Sequence, residues 1–233
     1  MNFLQRTIAP IAIALLSGCG GGGGGTATAT GPITSTLSFP LKSAQSALVA
    51  SGFNKNFTIS GTCSGSASLT RSAAAGGATF EGVSGRLSAV STVTLTFTNC
   101  TPASSAGSIT GYWDTNYTPL GSNVVSGDYS VYLTPPTIPT SVTVGNTGIA
   151  GTLTSYTNST KTVSAGHTDL SYVIEPDTAS TAIVNLIGKT YNASNVLTST
   201  SQDRYRIAAT GALTLVSSDI QYSNGSTTHL ILQ

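Results

Sequence analysis

Charged side chains are scarce in this chain. Asp, Glu, Lys and Arg make up 7% of its 233 residues, with 9 basic against 8 acidic, where an ordinary domain carries about 25%. A protein that binds nucleic acid needs a basic surface that displaces phosphate counterions, and an anionic bilayer attracts clusters of Lys and Arg. The composition therefore argues against nucleic acid as a partner and against charge-driven binding to lipid headgroups.

Sequence motifs for catalysis and metal binding are missing as well. There are only 2 His residues, and neither an HExxH nor a DxDxDG pattern occurs. The GxSxG motif of a nucleophile elbow is also absent. His167 and Asp169 are spaced to share a strand face, but their position after Gly166 predicts a solvated turn. The sequence therefore predicts no catalytic residue, no metal ligand and no cofactor.

Small hydroxyl side chains are abundant instead. Ser occurs 33 times and Thr 38 times, so 71 of 233 residues can hydrate a surface without charge. Threonine favours β-strands. Hydrophobic residues form 39% of the chain, which is enough to fill a core and more than a disordered chain would have. This composition is typical of an exported β-protein.

The N-terminus has the pattern of a targeting signal. Arg6 supplies one positive charge before the apolar run Ile8–Leu16. As a helix this run would span about 14 Å of a hydrocarbon core of roughly 30 Å, so it is too short to remain across a membrane. The tetrapeptide Leu16–Cys19 ends the run and six glycines follow it. No later stretch approaches 18 apolar residues, the length of a spanning helix.

This tetrapeptide, in this position, resembles the N-terminus of bacterial lipoprotein precursors. The resemblance implies a signal peptide over residues 1–18, cleavage before Cys19, and a thioether-linked diacylglycerol on its thiol, usually with a third acyl chain on its amine. Two or more chains hold a protein firmly on a membrane. Gly20 stands where Asp would retain such a protein at the inner membrane, so the resemblance implies the outer membrane of a diderm bacterium. Residues 19–36 are predicted to be a disordered tether with a reach of about 20 to 25 Å.

Two cysteines remain if Cys19 carries lipid. Because Cys63 and Cys100 would then face an oxidising compartment, we expect them to form a disulfide, with two free buried thiols as the alternative. The alternation of apolar residues puts Cys100 out of phase with Phe97. The strand that contains Phe97 must therefore end by Asn99 or contain a bulge.

The body of the chain is predicted to be all-β, as an antiparallel sandwich or a strongly curved, partly closed sheet, with one short helix at Ser43–Ala50. Three prolines interrupt the pattern in Pro135–Pro139, because proline cannot donate to a strand ladder. This segment is either a boundary between two β subdomains, 37–134 and 141–233, or a crossover within one domain. The candidate strands after it are Ser141–Gly145, Ile149–Tyr156, Leu170–Glu175, Thr181–Tyr191, Val196–Ile207, Ala212–Tyr222 and Thr228–Leu232.

One segment combines aromatic and polar side chains in the way that a sugar-binding site does. Aromatic faces stack on sugar rings, and amide or carboxylate groups bind the hydroxyls. The favoured interpretation is nevertheless that its Trp closes the end of a sheet and its tyrosines pack over it. The candidate ligand-binding residues are Tyr112, Trp113, Asp114, Asn116 and Tyr117.

A second set of polar residues follows a predicted strand. Glu175 and Asp177 flank Pro176, and paired carboxylates are used in glycoside hydrolysis. Arg204 and Arg206 share one face of a later strand and could bind a phosphate or carboxylate. The favoured interpretation of the two carboxylates is that they decorate a proline turn, and that of the two arginines is a structural ion pair with Glu175 or Asp203.

The Cys63–Cys100 block and the segment Ser171–Val184 are similar to exported β-rich lipoproteins of Gram-negative bacteria, a resemblance that implies architecture only. The favoured function is a non-catalytic binding or structural role for a lipid-anchored envelope protein, with a glycan or an envelope protein as the candidate partner. The alternatives are a carboxylate- or metal-based hydrolase of envelope polymers, and a carrier that holds a lipid or another hydrophobic molecule in a curved-sheet cavity.

Overall fold

The computed structural model describes residues 31–125, 127–223 and 228–233. The signal peptide 1–18, Cys19 and most of the tether 19–36 lie outside the described residues, so these expectations stay predictions. The described residues form one helix and thirteen strands. The elements are α1 (Leu41–Ser51), β1 (Phe53–Gly61), β2 (Gly65–Arg71), β3 (Ala75–Phe80), β4 (Val83–Phe97), β5 (Ser104–Trp113), β6 (Pro119–Val124), β7 (Tyr129–Tyr132), β8 (Thr147–Tyr156), β9 (Ser164–Pro176), β10 (Thr181–Asn192), β11 (Leu197–Ala208), β12 (Leu213–Tyr222) and β13 (His229–Leu232).

The strands form one antiparallel sheet that closes into a barrel. Twelve strands make the ring, in the order β2, β1, β13, β12, β11, β10, β9, β8, β7, β6, β5 and β4, and β4 pairs with β2 to complete it. Strand β4 is long enough for two partners on one edge, because Ser91–Phe97 pairs with β2 while its first half pairs with β3. The all-β prediction is confirmed. The curved sheet closes fully, and strands from both sides of the segment Pro135–Pro139 belong to it.

Alternation along the strands decides what fills the barrel. Val93, Leu95 and Phe97 of β4 are buried, while Thr94 and Thr96 between them are exposed. A barrel of eight strands is just wide enough for its own side chains to fill, so twelve strands leave additional space. Residues from outside the strands, among them Phe39, Leu41 and Val142, join the same apolar core.

Helix α1 lies across one end of the barrel. Its residues Leu41, Ala44 and Val49 are buried, and its other face is exposed. Gly52 ends the helix at φ +67°, and a Cβ there would lie 2.3 Å from the carbonyl oxygen of Arg71, so only glycine permits the direct turn into β1. We call α1 and residues 136–139 the cap. Within the cap, Lys42 N–H donates to the Pro139 carbonyl at 3.2 Å. The cap's bonds to this end of the barrel include Ala74 N–H to the Val49 carbonyl at 3.1 Å and Gln45 Nε2 to the Tyr117 carbonyl at 3.4 Å.

The disulfide lies at the other end of the barrel. Cys63 and Cys100 are bonded, with their Cα atoms 5.7 Å apart, and join the β1–β2 turn to the β4–β5 turn. Strand β4 ends at Phe97, before Asn99. The predicted pairing is therefore confirmed, and the end of the strand removes the phase conflict between Phe97 and Cys100.

Two predictions about local structure are wrong. Ser141–Gly145 is not a strand, because Val142 makes a single bridge to Phe39 and the chain then turns at Gly145, where φ is +92°. Strand β9 begins at Ser164, well before Leu170, so His167 and Asp169 lie within a strand and not at a turn. Pairing with β10 continues back along β9 as far as Gly166, which makes β9 longer than predicted. The His167 ring stacks on the ring of Tyr191 in β10, with 4.8 Å between the ring centroids.

Candidate functional site

A cavity lies inside the barrel beneath the cap, with a volume of about 180 Å³. Helix α1 and residues 136–139 cover it, and strands β2 and β4 to β12 surround it. Aliphatic and aromatic side chains dominate its wall. Its aromatic residues are Tyr112, Trp113, Tyr132, Tyr172 and Tyr205, and its aliphatic residues include Leu41, Leu48, Val49, Ile109, Ile138, Leu170, Val184 and Leu213.

The wall beneath the helix is built around Trp113. Its side chain is buried against Val49 of α1 and Ala89 of β4. A Cβ on Gly111 would lie 2.5 Å from the Trp113 ring, so the missing side chain at Gly111 lets the ring lie close over strand β5. Tyr112 stacks on Phe80, with 4.4 Å between the ring centroids. The cap and the adjacent strands therefore enclose the Trp113 ring, whereas the Tyr112 ring packs on Phe80 on the opposite face of β5.

Arg71 is the charged residue of the cavity wall. It ends strand β2 on the face that also carries the buried Ala67 and Leu69. Its guanidinium carbon lies 4.8 Å from the centroid of the Phe53 ring, and its Nε is buried without a hydrogen-bond partner. Gln45 of the cap contributes a second unpartnered atom, because its Oε1 is buried while Nε2 donates to a carbonyl.

Two tyrosine hydroxyls in the wall remain neutral. Burial raises the pKa of Tyr132, and burial also raises the pKa of Tyr205, where the nearby Arg71 guanidinium acts in the opposite direction and lowers it. Ser91 of β4 lies directly opposite Arg71 of β2, and it is buried. The cavity thus has an apolar body and a polar region around Arg71.

The five predicted ligand-binding residues are divided between the cavity and the turn beside it. Tyr112 and Trp113 line the cavity. Asp114 closes the β5–β6 turn, where its Oδ1 accepts the N–H groups of Asn116 and Thr118, each at 2.8 Å. Tyr117 packs beside Trp113, and Asn116 is exposed. The structure therefore brings the Trp113 side chain into the barrel interior, places the Tyr112 ring against Phe80 on the other face of β5, and gives the carboxylate a role in the turn.

The paired carboxylates lie in ion pairs and not in the cavity. Glu175 bonds Arg204 at 2.8 Å, and Asp177 bonds Arg206 at 2.6 Å. The favoured prediction of structural pairing is confirmed for Glu175. Residues 31–125, 127–223 and 228–233 contain no group of three or more His, Cys, Asp or Glu side chains that could hold a metal ion.

Asp203 does not pair with an arginine. It faces the interior of the barrel, is 1% exposed, and accepts a hydrogen bond of 3.0 Å from the Ser218 hydroxyl. Its Oδ2 has no hydrogen-bond partner. Burial raises the pKa of this carboxyl well above its usual range, against the effect of the Ser218 bond, and so favours its neutral form.

No protein-family model, curated protein or solved structure matches the chain. In the part of the chain that the structure describes, no helix has both the length and the apolar character needed to cross a membrane.

Proposed function

We propose that this protein is a lipid-anchored cell-envelope protein that binds a small hydrophobic molecule inside its barrel. The observation that supports binding is the cavity of about 180 Å³ beneath the cap, with its wall of aromatic and aliphatic side chains. An apolar cavity of about 150 Å³ stays dry and binds benzene. The volume therefore favours a ligand on the order of seven to ten non-hydrogen atoms.

Binding is tested by titrating the full-length protein with toluene. Trp113 is the only Trp of the chain and lines the cavity, so its fluorescence reports on occupancy, with isothermal calorimetry as the independent measurement. We expect saturable binding of one molecule per barrel. The absence of saturable binding in both measurements would refute the proposed role.

A cavity-filling variant shows where the ligand is bound. Ala150 lines the cavity, so Ala150→Phe should occupy the space and weaken toluene binding by at least about tenfold. Ala106 lies on the exposed face of β5, and Ala106→Phe is the matched control that should bind as the wild type does. Equal binding by both variants would place the ligand outside the cavity.

Anchoring to the outer membrane is supported by the sequence pattern around Cys19 and by Gly20. Cys19→Ala should release the protein into the soluble fraction of the envelope, because the acyl chains are then absent. Cells that produce the wild type and the variant are fractionated and probed with an antibody to the protein. A variant that stays with the membranes would contradict lipid anchoring and would leave the binding role untouched.

A further inference from the structure

The positive charge of Arg71 lacks a counterion inside the barrel. Among the described residues no carboxylate forms an ion pair with Arg71, whereas Arg204 and Arg206 pair with Glu175 and Asp177. The ring of Phe53 covers the guanidinium, and Nε is shielded from solvent without an acceptor. A buried donor on a charged group is costly unless an acceptor satisfies it.

The surroundings of Arg71 indicate where that acceptor would lie. Arg71 and Ser91, opposite it on β4, both line the cavity, as does Tyr205, whose hydroxyl is close enough for the guanidinium to influence its pKa. An anion inside the cavity can therefore meet Arg71, with hydroxyl groups at hand to donate to it. The unpartnered atom of Gln45 is Oε1, which only accepts hydrogen bonds. It could therefore bind a hydroxyl group of the ligand but not an anion.

The rest of the wall indicates what the anion is attached to. Four aromatic side chains, those of Trp113, Tyr132, Tyr172 and Tyr205, line the cavity. Aromatic rings pack against one another in offset or edge-to-face arrangements that add to the energy of burial. A planar ring thus fits this wall, and the volume limits it to a small one.

We propose that the cavity binds a small aromatic carboxylate, whose ring lies against the aromatic wall and whose carboxylate accepts hydrogen bonds from Arg71. This inference rests on the proposed binding role and specifies the ligand class. The planar guanidinium fits a carboxylate with two parallel hydrogen bonds, and such charge-assisted bonds are stronger than neutral ones.

Benzoate and nitrobenzene test the inference because they share one shape and only benzoate is charged. The full-length protein is titrated with each by calorimetry. We expect the wild type to bind benzoate more tightly than nitrobenzene. Arg71→Met keeps an unbranched side chain without the charge and should weaken benzoate binding by about tenfold or more, while nitrobenzene binding stays within about twofold.

Arg86→Met is the matched control. Arg86 also has a buried Nε without a hydrogen-bond partner, but it does not line the cavity, so this variant should bind both ligands as the wild type does. If Arg71→Met does not fold, the comparison of benzoate with nitrobenzene in the wild type still tests whether the cavity prefers a carboxylate. If the wild type binds nitrobenzene as tightly as benzoate, the inference that the ligand is a carboxylate is wrong, but the proposed binding role stands. Failure of the wild type to bind either compound, or toluene, would overturn the binding role itself.

Discussion

Removing the disulfide between Cys63 and Cys100 is expected to lower the free energy of unfolding by about 4 kcal/mol. The two cysteines are separated by 37 residues. In the chain-entropy model, closing a loop of this length lowers the conformational entropy of the unfolded ensemble by about 13 cal/mol/K. This is equivalent to about 4 kcal/mol of free energy at 25 °C. For a domain of this size the loss corresponds to a fall in melting temperature of roughly 8 to 16 °C.

The double variant Cys63→Ser, Cys100→Ser leaves no unpaired thiol at this site. Urea unfolding is followed by Trp113 fluorescence for the wild type, the double variant and the wild type treated with a reductant. The last two should unfold at the same urea concentration. Because the disulfide lies at the end opposite the cap, toluene binding by the folded double variant should match that of the wild type. A loss of stability below about 1 kcal/mol would refute the loop-closure argument.

Two further predictions follow from charged groups. Burial in the fold raises the pKa of Asp203 above its ordinary value of 3.8, so the folded state binds more protons and the free energy of unfolding should fall by up to about 1.4 kcal/mol per pH unit as the pH rises above that value. Asp203→Asn should remove this slope in urea unfolding measured from pH 4 to 8, and an unchanged slope would contradict the assignment. The hydrogen bond from Arg206 lowers the pKa of Asp177, so this pair stabilises the fold above about pH 4 and its contribution is lost as the pH falls through the folded-state pKa. Arg206→Met should raise the pKa of Asp177 in an NMR titration and cost less than about 1 kcal/mol, because Arg206 is 48% exposed; an unmoved titration would contradict the pairing.

Alternation predicted most of the strands after Pro139 and the buried face of β4, but not β2, β5 or β6. The pattern around Phe97 required either the end of the strand by Asn99 or a bulge, and the strand ends. Closure of the ring was not predictable, because it depends on pairings between distant segments, β2 with β4 and β1 with β13. Alternation tells which side chains share a face but not which strands become neighbours.

A curved-sheet cavity was one of the alternatives that the sequence left open, but its size and lining could not be predicted for the same reason. Its size depends on the number of strands in the ring and on how far the cap enters it. Trp113 could be identified as a residue that closes the end of the sheet, and it does pack against α1. Arg71 was missed although it continues the inward alternation of Ala67 and Leu69. A charged residue at an inward position is the signal that could have identified it.

The last strand has a consequence for the timing of folding. β13 is the strand that joins β12 to β1. Until β13 has paired with both, β1 lacks this neighbour and the ring stays open, however much of the meander has already paired. Closure is thus a contact between the first and the last of the thirteen strands, and such pairing across a large sequence separation is expected to form slowly.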